Sequence, residues 1–163
     1  MAVTRRAAIA SGVLAAGAGL IGLRAFAAPQ RKFEIRYTDA EWRRRLGPAR
    51  YAVLRQAYTE RAFSSPLDKE KRAGTFVCAG CGLPLFASRT KFDSGTGWPS
   101  FYAPLRDAVA TSTDFAIGIP RTEVHCRRCG GHLGHVFDDG PRPTGKRYCM
   151  NGLALKFVPA RAG

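Results

Sequence analysis

Alternation of apolar and polar residues is clearest near the end of the chain, where Leu153, Leu155 and Phe157 alternate with Ala154 and Lys156. That period of two predicts a half-buried β-strand over residues 152–158. Similar short apolar runs, bounded by Gly, Pro or Asp, predict strands over 74–77, 83–86, 115–119, 122–125 and 132–137. Before residue 59 the rhythm is different. Thr38-Asp39-Ala40-Glu41 sets a hydroxyl and a carboxylate three positions apart, the form of a capping box. A helix is expected from there to Leu46, where Gly47-Pro48 stops it. Pro48 suits the first turn of a second helix running to Tyr58, with Ala49, Val53 and Ala57 on one side. Trp42, Leu46 and Val53 are expected to pack against the main body, and residues 30–37 to form a linker or an edge strand. Short strands at near-regular spacing with turn residues between them argue for antiparallel sheet, sandwich or barrel-like.

The cysteines change this picture from a plain β domain to a stapled one. Four of the five form two Cys-x-x-Cys pairs, Cys78/Cys81 and Cys126/Cys129, each following a predicted strand and each ending in Cys-Gly. Glycine permits the tight knuckle such a pair needs. Four thiolates in two pairs are the ligand set of a structural zinc site, closed to chemistry. Two disulfides are the rival, but Cys-x-x-Cys pairs make awkward structural bridges. The 44 residues between the pairs exceed a compact zinc ribbon, so one ion would clamp two remote hairpins. Cys149 remains over, with Arg147 close by in sequence. It is either an inert core thiol or a nucleophile.

The first 27 residues read as a targeting segment. Arg5 and Arg6 stand ahead of a mildly apolar, Ala- and Gly-rich run over 7–23, and Ala25-Phe26-Ala27 offers a small-x-small cleavage site. This resembles a twin-arginine export signal and predicts a bacterial periplasmic location, or membrane tethering if the segment stays uncleaved. Residues 28–37 would be a linker and 38–163 a single catalytic domain. The chain carries 26 basic and 12 acidic residues, a net charge of +14. Losing Arg5, Arg6 and Arg24 would leave about +11. The basic residues are scattered, with short runs only at Arg43-Arg44-Arg45 and 69–72, as on solvated faces. No Lys- or Arg-rich helix points to nucleic acid, and none is expected as a partner.

Three further segments bear on Cys149. Ser94-Gly95-Thr96-Gly97-Trp98-Pro99-Ser100-Phe101 is a loop carrying aromatics among glycines. His132-Leu133-Gly134-His135-Val136-Phe137 sets two histidines three apart, of opposite parity on a strand unless a bulge at Gly134 aligns them. Arg147-Tyr148-Cys149-Met150-Asn151 brings the thiol. Singly each is weak: the histidines could be metal ligands, and an aromatic in a loop usually packs. Together, with Thr59-Glu60-Arg61-x-Phe63, they resemble the B-type methionine sulfoxide reductases, which act on the R epimer.

That resemblance runs from about Trp42 to Phe157. It implies a mainly β fold of two antiparallel sheets with small peripheral helices, and one structural zinc on Cys78, Cys81, Cys126 and Cys129, away from the active site. It implies Cys149 as nucleophile, with Arg147 and the neighbouring histidines favouring thiolate, and His132 or His135 as acid. Asn151 would orient a water or a histidine, and Trp98, with Phe137, would pack the substrate S-methyl group. His125 lies outside the motif and reads as a surface strand residue. Substrates would be oxidised proteins or peptides containing methionine sulfoxide, handled by a monomer. Many members carry a second cysteine in the Ser-Gly-x-Gly-Trp loop. This chain has Thr96 there, so the Cys149 sulfenic acid should be reduced directly by a thioredoxin-like protein or a small thiol. Two other readings stand beside this one: a zinc-stapled basic binding module, marked by salt-sensitive affinity, and a thiol oxidoreductase acting on disulfides.

Overall fold

The capping box at Thr38 forms as its sequence requires. In a computed structural model describing residues 33–161, the Glu41 N–H donates to Thr38 Oγ1 at 3.3 Å and the Thr38 N–H to Glu41 Oε2 at 2.8 Å. Helix α1 (Asp39–Gln56) follows, broken by Gly47 at φ 68° and ψ 170° ahead of Pro48. The two helices expected from the sequence are therefore two arms of one kinked helix. Trp42, Tyr51, Val53 and Leu54 form its buried face. Ala49 and Ala57 are exposed, because the kink re-aims the second arm and Ala57 already sits in the left-handed C-cap. The expected export segment and residues 28–32 lie outside the described residues.

The rest of the chain is two antiparallel sheets. The smaller joins β1 (Gly74–Cys78), β2 (Pro84–Ala87) and β9 (Leu155–Pro159) in the order β2-β1-β9. The larger contains β3 (Lys91–Phe92), β4 (Ser100–Phe101), β5 (Val109–Asp114), β6 (Arg121–Cys126), β7 (His132–Phe137) and β8 (Arg147–Met150). Its order is β3-β4-β8-β7-β6-β5. Every pairing is antiparallel. The expected fold class, mainly β with two antiparallel sheets, is what is found. Among the described residues no helix is long and apolar enough to cross a membrane.

Two strand expectations fail for local reasons. Residues 115–119 are the turn of the β5–β6 hairpin: Gly118 takes φ 81°, and its N–H bonds back to the Phe115 carbonyl at 2.9 Å. Residues 152–154 form a 3-10 turn, so the last strand begins only at Leu155. Between the sheets lies an aromatic cluster. Phe101 of β4 stacks on Phe86 of β2 at 4.4 Å and meets Phe76 of β1 edge-on at 4.9 Å, all three rings fully buried.

Because Phe101 carries contacts of one sheet onto the other, Phe101→Ala should destabilise the fold by about 3–5 kcal/mol. Urea denaturation followed by tryptophan fluorescence would measure this. A loss below about 1 kcal/mol would mean that the sheets are joined elsewhere.

Candidate active site and metal cluster

Each sheet contributes one cysteine knuckle. Cys78 ends β1 and Cys126 ends β6. After each pair a glycine takes a left-handed conformation, Gly82 at φ 74° and Gly130 at φ 69°, which a side chain would strain. Each glycine N–H closes the loop onto the first cysteine's carbonyl, at 2.8 Å in both knuckles. The four sulfurs lie within 4.8 Å of one another, with Cys78 Sγ 3.7 Å from Cys129 Sγ and Cys81 Sγ 3.5 Å from Cys126 Sγ. A tetrahedral ion with sulfur bonds of about 2.3 Å holds its sulfurs about 3.8 Å apart, so the set fits a four-thiolate metal site. All five cysteines are free of disulfides.

Cys149 is placed by strand pairing. In the sheet register it faces Ser100 of β4 on one side and His135 of β7 on the other. The β7 strand carries a bulge: Val124 pairs with Gly134 but His125 with His132, leaving Leu133 as the extra residue. The bulge cancels the opposite parity of the two histidines, whose ring centroids lie 5.4 Å apart. Gly134 makes the close approach to β8 possible, since a Cβ there would lie 2.1 Å from the Cys149 carbonyl oxygen.

A pocket of about 140 Å³ opens over the thiol, lined by Thr59, Trp98, Arg121, Gly134, His135, Phe137, Cys149 and Asn151. Five expected site residues, Cys149, His135, Asn151, Trp98 and Phe137, thus share one cavity. His132 and Arg147 do not line it. His132 stands behind His135, its Nδ1 2.7 Å from Glu123 Oε1 and its buried Nε2 without a partner. The Arg147 guanidinium lies 4.4 Å over the Phe137 ring and forks onto Asp139 at 2.9 and 2.8 Å. Asn151 is fully engaged by backbone: its Oδ1 accepts from the Glu60 N–H at 2.9 Å, and its Nδ2 donates to the Leu133 carbonyl at 3.2 Å. Among its hydrogen bonds is none to a histidine. His125 is not on the surface; it is 6% exposed and packs edge-on against Phe33.

The electrostatics favour a neutral pair. Burial pushes the Cys149 thiol up, against opposing pulls from Thr96, Arg147 and Ser100. Asp139 already engages the Arg147 guanidinium, and desolvation outweighs the pull that remains toward the expected thiolate. Burial likewise pushes His135 down, against its 2.7 Å contact with Asp114. Asp114 is held low by the Ala116 N–H, by His135 and by Arg121, which it meets at 2.5 Å. Glu123 is held down to about 2, first by His132 and then by the Ser112 hydroxyl. On the other flank Thr96 Oγ1 lies 3.9 Å from Cys149 Sγ, and Ser94 Oγ stands 2.8 Å from both Thr96 Oγ1 and Ser100 Oγ.

Four site acids and bases went unpredicted: Glu60, Asp114, Arg121 and Glu123. Glu60 is a buried carboxylate that accepts the N–H groups of Gly152 and Leu153, while its own carbonyl takes the Trp98 indole N–H at 3.1 Å. It ties the Trp98 loop to the segment after Cys149. Asp114 and Arg121 face each other in the β5–β6 register, so the base of one hairpin orients His135.

The SelR domain model matches residues 46–159. The chain is 53% identical over 126 residues to a peptide methionine sulfoxide reductase MsrB of Leptospira interrogans, covering 77% of this chain and 96% of the relative. The corresponding protein of Leifsonia xyli is 56% identical over 130 residues, covering 78% and 94%. A chloroplastic peptide methionine sulfoxide reductase B1 of Arabidopsis thaliana is 55% identical over 121 residues, covering 74% and 60%.

If the four thiolates hold an ion, elemental analysis of the purified chain should give one equivalent of metal. Stripping it with a chelator and a thiol reagent should lower Tm by about 10 °C or more, since the cluster joins both sheets. An unchanged melting curve after complete metal loss would show that the clamp is not structural.

Proposed function

The chain belongs to the SelR-domain family, and from that premise we propose that it is a peptide methionine sulfoxide reductase that reduces the R epimer with Cys149 as nucleophile. The observation carrying this reading is the pairing of the Cys149 strand with the His135 strand beneath a pocket walled by Trp98 and Phe137. In a cavity of about 140 Å³ the substrate's methylsulfinyl group reaches the thiol with little room to turn. The aromatic walls take the S-methyl group, and the oxygen points to the polar side, toward His135 and Arg121.

The sulfur of a sulfoxide becomes electrophilic as its oxygen gains a proton. A neutral imidazole beside a protonated thiol supplies both needs at once. His135 takes the Cys149 proton and returns it to the sulfoxide oxygen while the sulfur of Cys149 bonds to the substrate. Oxygen then passes to Cys149, the substrate leaves as methionine, and Cys149 is left as a sulfenic acid. No net proton or electron enters from outside in this half. The Asp114–Arg121 pair fixes the His135 ring, and Glu123 fixes His132 behind it. Asn151 acts here as a strut for the pocket wall, through Glu60 and Leu133.

The second half needs two thiols. With four cysteines in the metal cluster and Thr96 beside Cys149, no cysteine is left to form an internal disulfide. The first external thiol, small or from a thioredoxin-like protein, displaces water from the sulfenic acid. A second releases Cys149 and leaves a disulfide on the reductant. We take the clustered ion to be zinc, which suits four thiolates and supplies structural cross-linking, not redox chemistry. Residues 1–27 are proposed as a twin-arginine-type export signal preceding a periplasmic domain, on the sequence features alone.

Turnover of each dansylated methionine sulfoxide epimer with dithiothreitol tests the reading directly. The R epimer alone should react, Cys149→Ser should abolish turnover, and His135→Ala should lower it by about 10²–10⁴-fold. Intact mass after substrate without reductant should show one added oxygen on a zinc-retaining chain; loss of two hydrogens instead would mean an internal disulfide. The shifts of the two reacting groups also set the pH dependence. Activity uses neutral His135 and protonated Cys149, so kcat/KM should hold a plateau with its acid limb below about 6.5 and its alkaline limb above about 8.5. A rate that climbs through pH 7–8 would instead mark a pre-formed thiolate as the working species.

A further inference from the structure

Large apolar side chains left in water on this chain are not spread evenly. Among the described residues six are exposed: Tyr58, Phe63, Phe115, Ile117, Ile119 and Val158, at 62, 66, 65, 60, 59 and 50%. All but Val158 belong to two segments that border the pocket over Cys149. Tyr58 and Phe63 flank Thr59, which lines the pocket, and Glu60, whose carbonyl holds the Trp98 indole. Phe115, Ile117 and Ile119 make the tip of the β5–β6 hairpin, between Asp114, which holds His135, and Arg121, which lines the pocket. Clustering of this kind around a cleft marks an interaction surface.

Neither segment is loose. The hairpin tip is tied by the Ala116 N–H to Asp114 Oδ1 at 2.7 Å, the Gly118 N–H to the Phe115 carbonyl at 2.9 Å, and the Asp114–Arg121 pair at its base. Phe63 stands at φ 62°, a conformation unfavourable for a bulky side chain, and is kept there by its N–H bond to the Gly97 carbonyl at 2.7 Å. Gly97 is moulded to it, since a Cβ there would lie 2.7 Å from the Phe63 nitrogen. A strained aromatic whose ring rests on Gly97 yet stays 66% exposed is a costly arrangement unless its open face has a partner.

The pocket itself says what the contact is. At about 140 Å³ it is well under the roughly 300 Å³ of a small-molecule cleft, so it holds one side chain and leaves the rest of a substrate outside. We propose that the two apolar segments are the docking surface for the residues flanking methionine sulfoxide in a polypeptide, and that they select apolar flanks. Methionine is most often a core residue, and its oxidation disrupts packing, so a damaged chain presents the sulfoxide within an exposed apolar stretch. This deepens the reductase reading and rests on it.

Three R-sulfoxide substrates separate the two: N-acetylmethionine sulfoxide methylamide, a pentapeptide with Leu and Val flanks, and one with Gln and Ser flanks. The wild type should prefer the apolar peptide by about tenfold or more in kcat/KM, expressed in KM. The hairpin variant F115S/I117S/I119S should lose most of that preference, and Phe63→Asn, which tolerates the left-handed backbone, should lose part of it. Both should keep wild-type activity on the methylamide, which also reports their folding. Equal use of both peptides by wild type, or a preference unchanged in both variants, would overturn the proposal. So would a hairpin variant that keeps its preference but no longer sediments with phosphatidylglycerol vesicles, which would assign the tip to a lipid surface. Failure of the wild type on all three substrates would instead be a failure of the reductase reading itself.

Discussion

The site depends on how closely β7 can approach β8. Cys149 and His135 are opposite partners in that pair, and the approach is set at Gly134, where a methyl group would collide with the Cys149 carbonyl at 2.1 Å. The bulge one residue earlier turns His132 to the same side as His135. Reversed parity or a wider gap would leave the thiol facing a backbone with no titratable group. Glycine at this one position thus links an elementary steric limit to the presence of an imidazole beside the thiol.

Strand β6 carries this geometry to the metal cluster. It begins with Arg121 at the pocket and ends with Cys126 among the four sulfurs, with Glu123 supporting His132 between them. Its alternate face buries Val124 in the core. An ion joining Cys126 and Cys129 to Cys78 and Cys81 would fix both ends of the turn from which β7 departs, and would fix it relative to the other sheet. Four thiolates on one tetrahedral ion would leave no open position, yet the histidine-bearing strand leaves from this cluster. This explains why the cysteine cluster and the pocket residues share one short stretch of sequence.

Much of this was legible in the sequence because it is local. The capping box, the cysteine knuckles and the 132–137 strand follow from spacing, and the bulge offered at Gly134 is found one residue earlier, at Leu133. What escaped was long-range or disguised. Glu60 is an isolated acid in a loop, and only the fold brings it 91 residues along the chain to Asn151. Glu123 alternates with Val124 as any half-exposed strand residue would. Phe115-Ala116-Ile117-Gly118-Ile119 imitates a strand by its alternation, and the Asp114–Arg121 pair that closes it into a hairpin spans that false signal. Arg147, two residues before Cys149, suggests a thiolate by sequence, but its fork onto Asp139, eight residues back, is a pairing the sequence does not announce.

A protonated Cys149 thiol would keep the resting site quiet. A thiolate held permanently beside a guanidinium would react with any oxidant that entered, and with Thr96 instead of a second thiol there would be nothing inside the chain to rescue the product. A protonated thiol beside a neutral imidazole is inert until a group arrives that can accept the proton as it is attacked. The oxygen of the proposed sulfoxide substrate is such a group. On the proposed mechanism, the burial that raises the thiol and lowers the imidazole couples nucleophile formation to the substrate's own basicity. The hydroxyls of Thr96, Ser94 and Ser100, linked at 2.8 Å, stand on the flank of Cys149 where the proposed sulfenic oxygen would form. A site without a resolving cysteine has more need of that restraint than one with it.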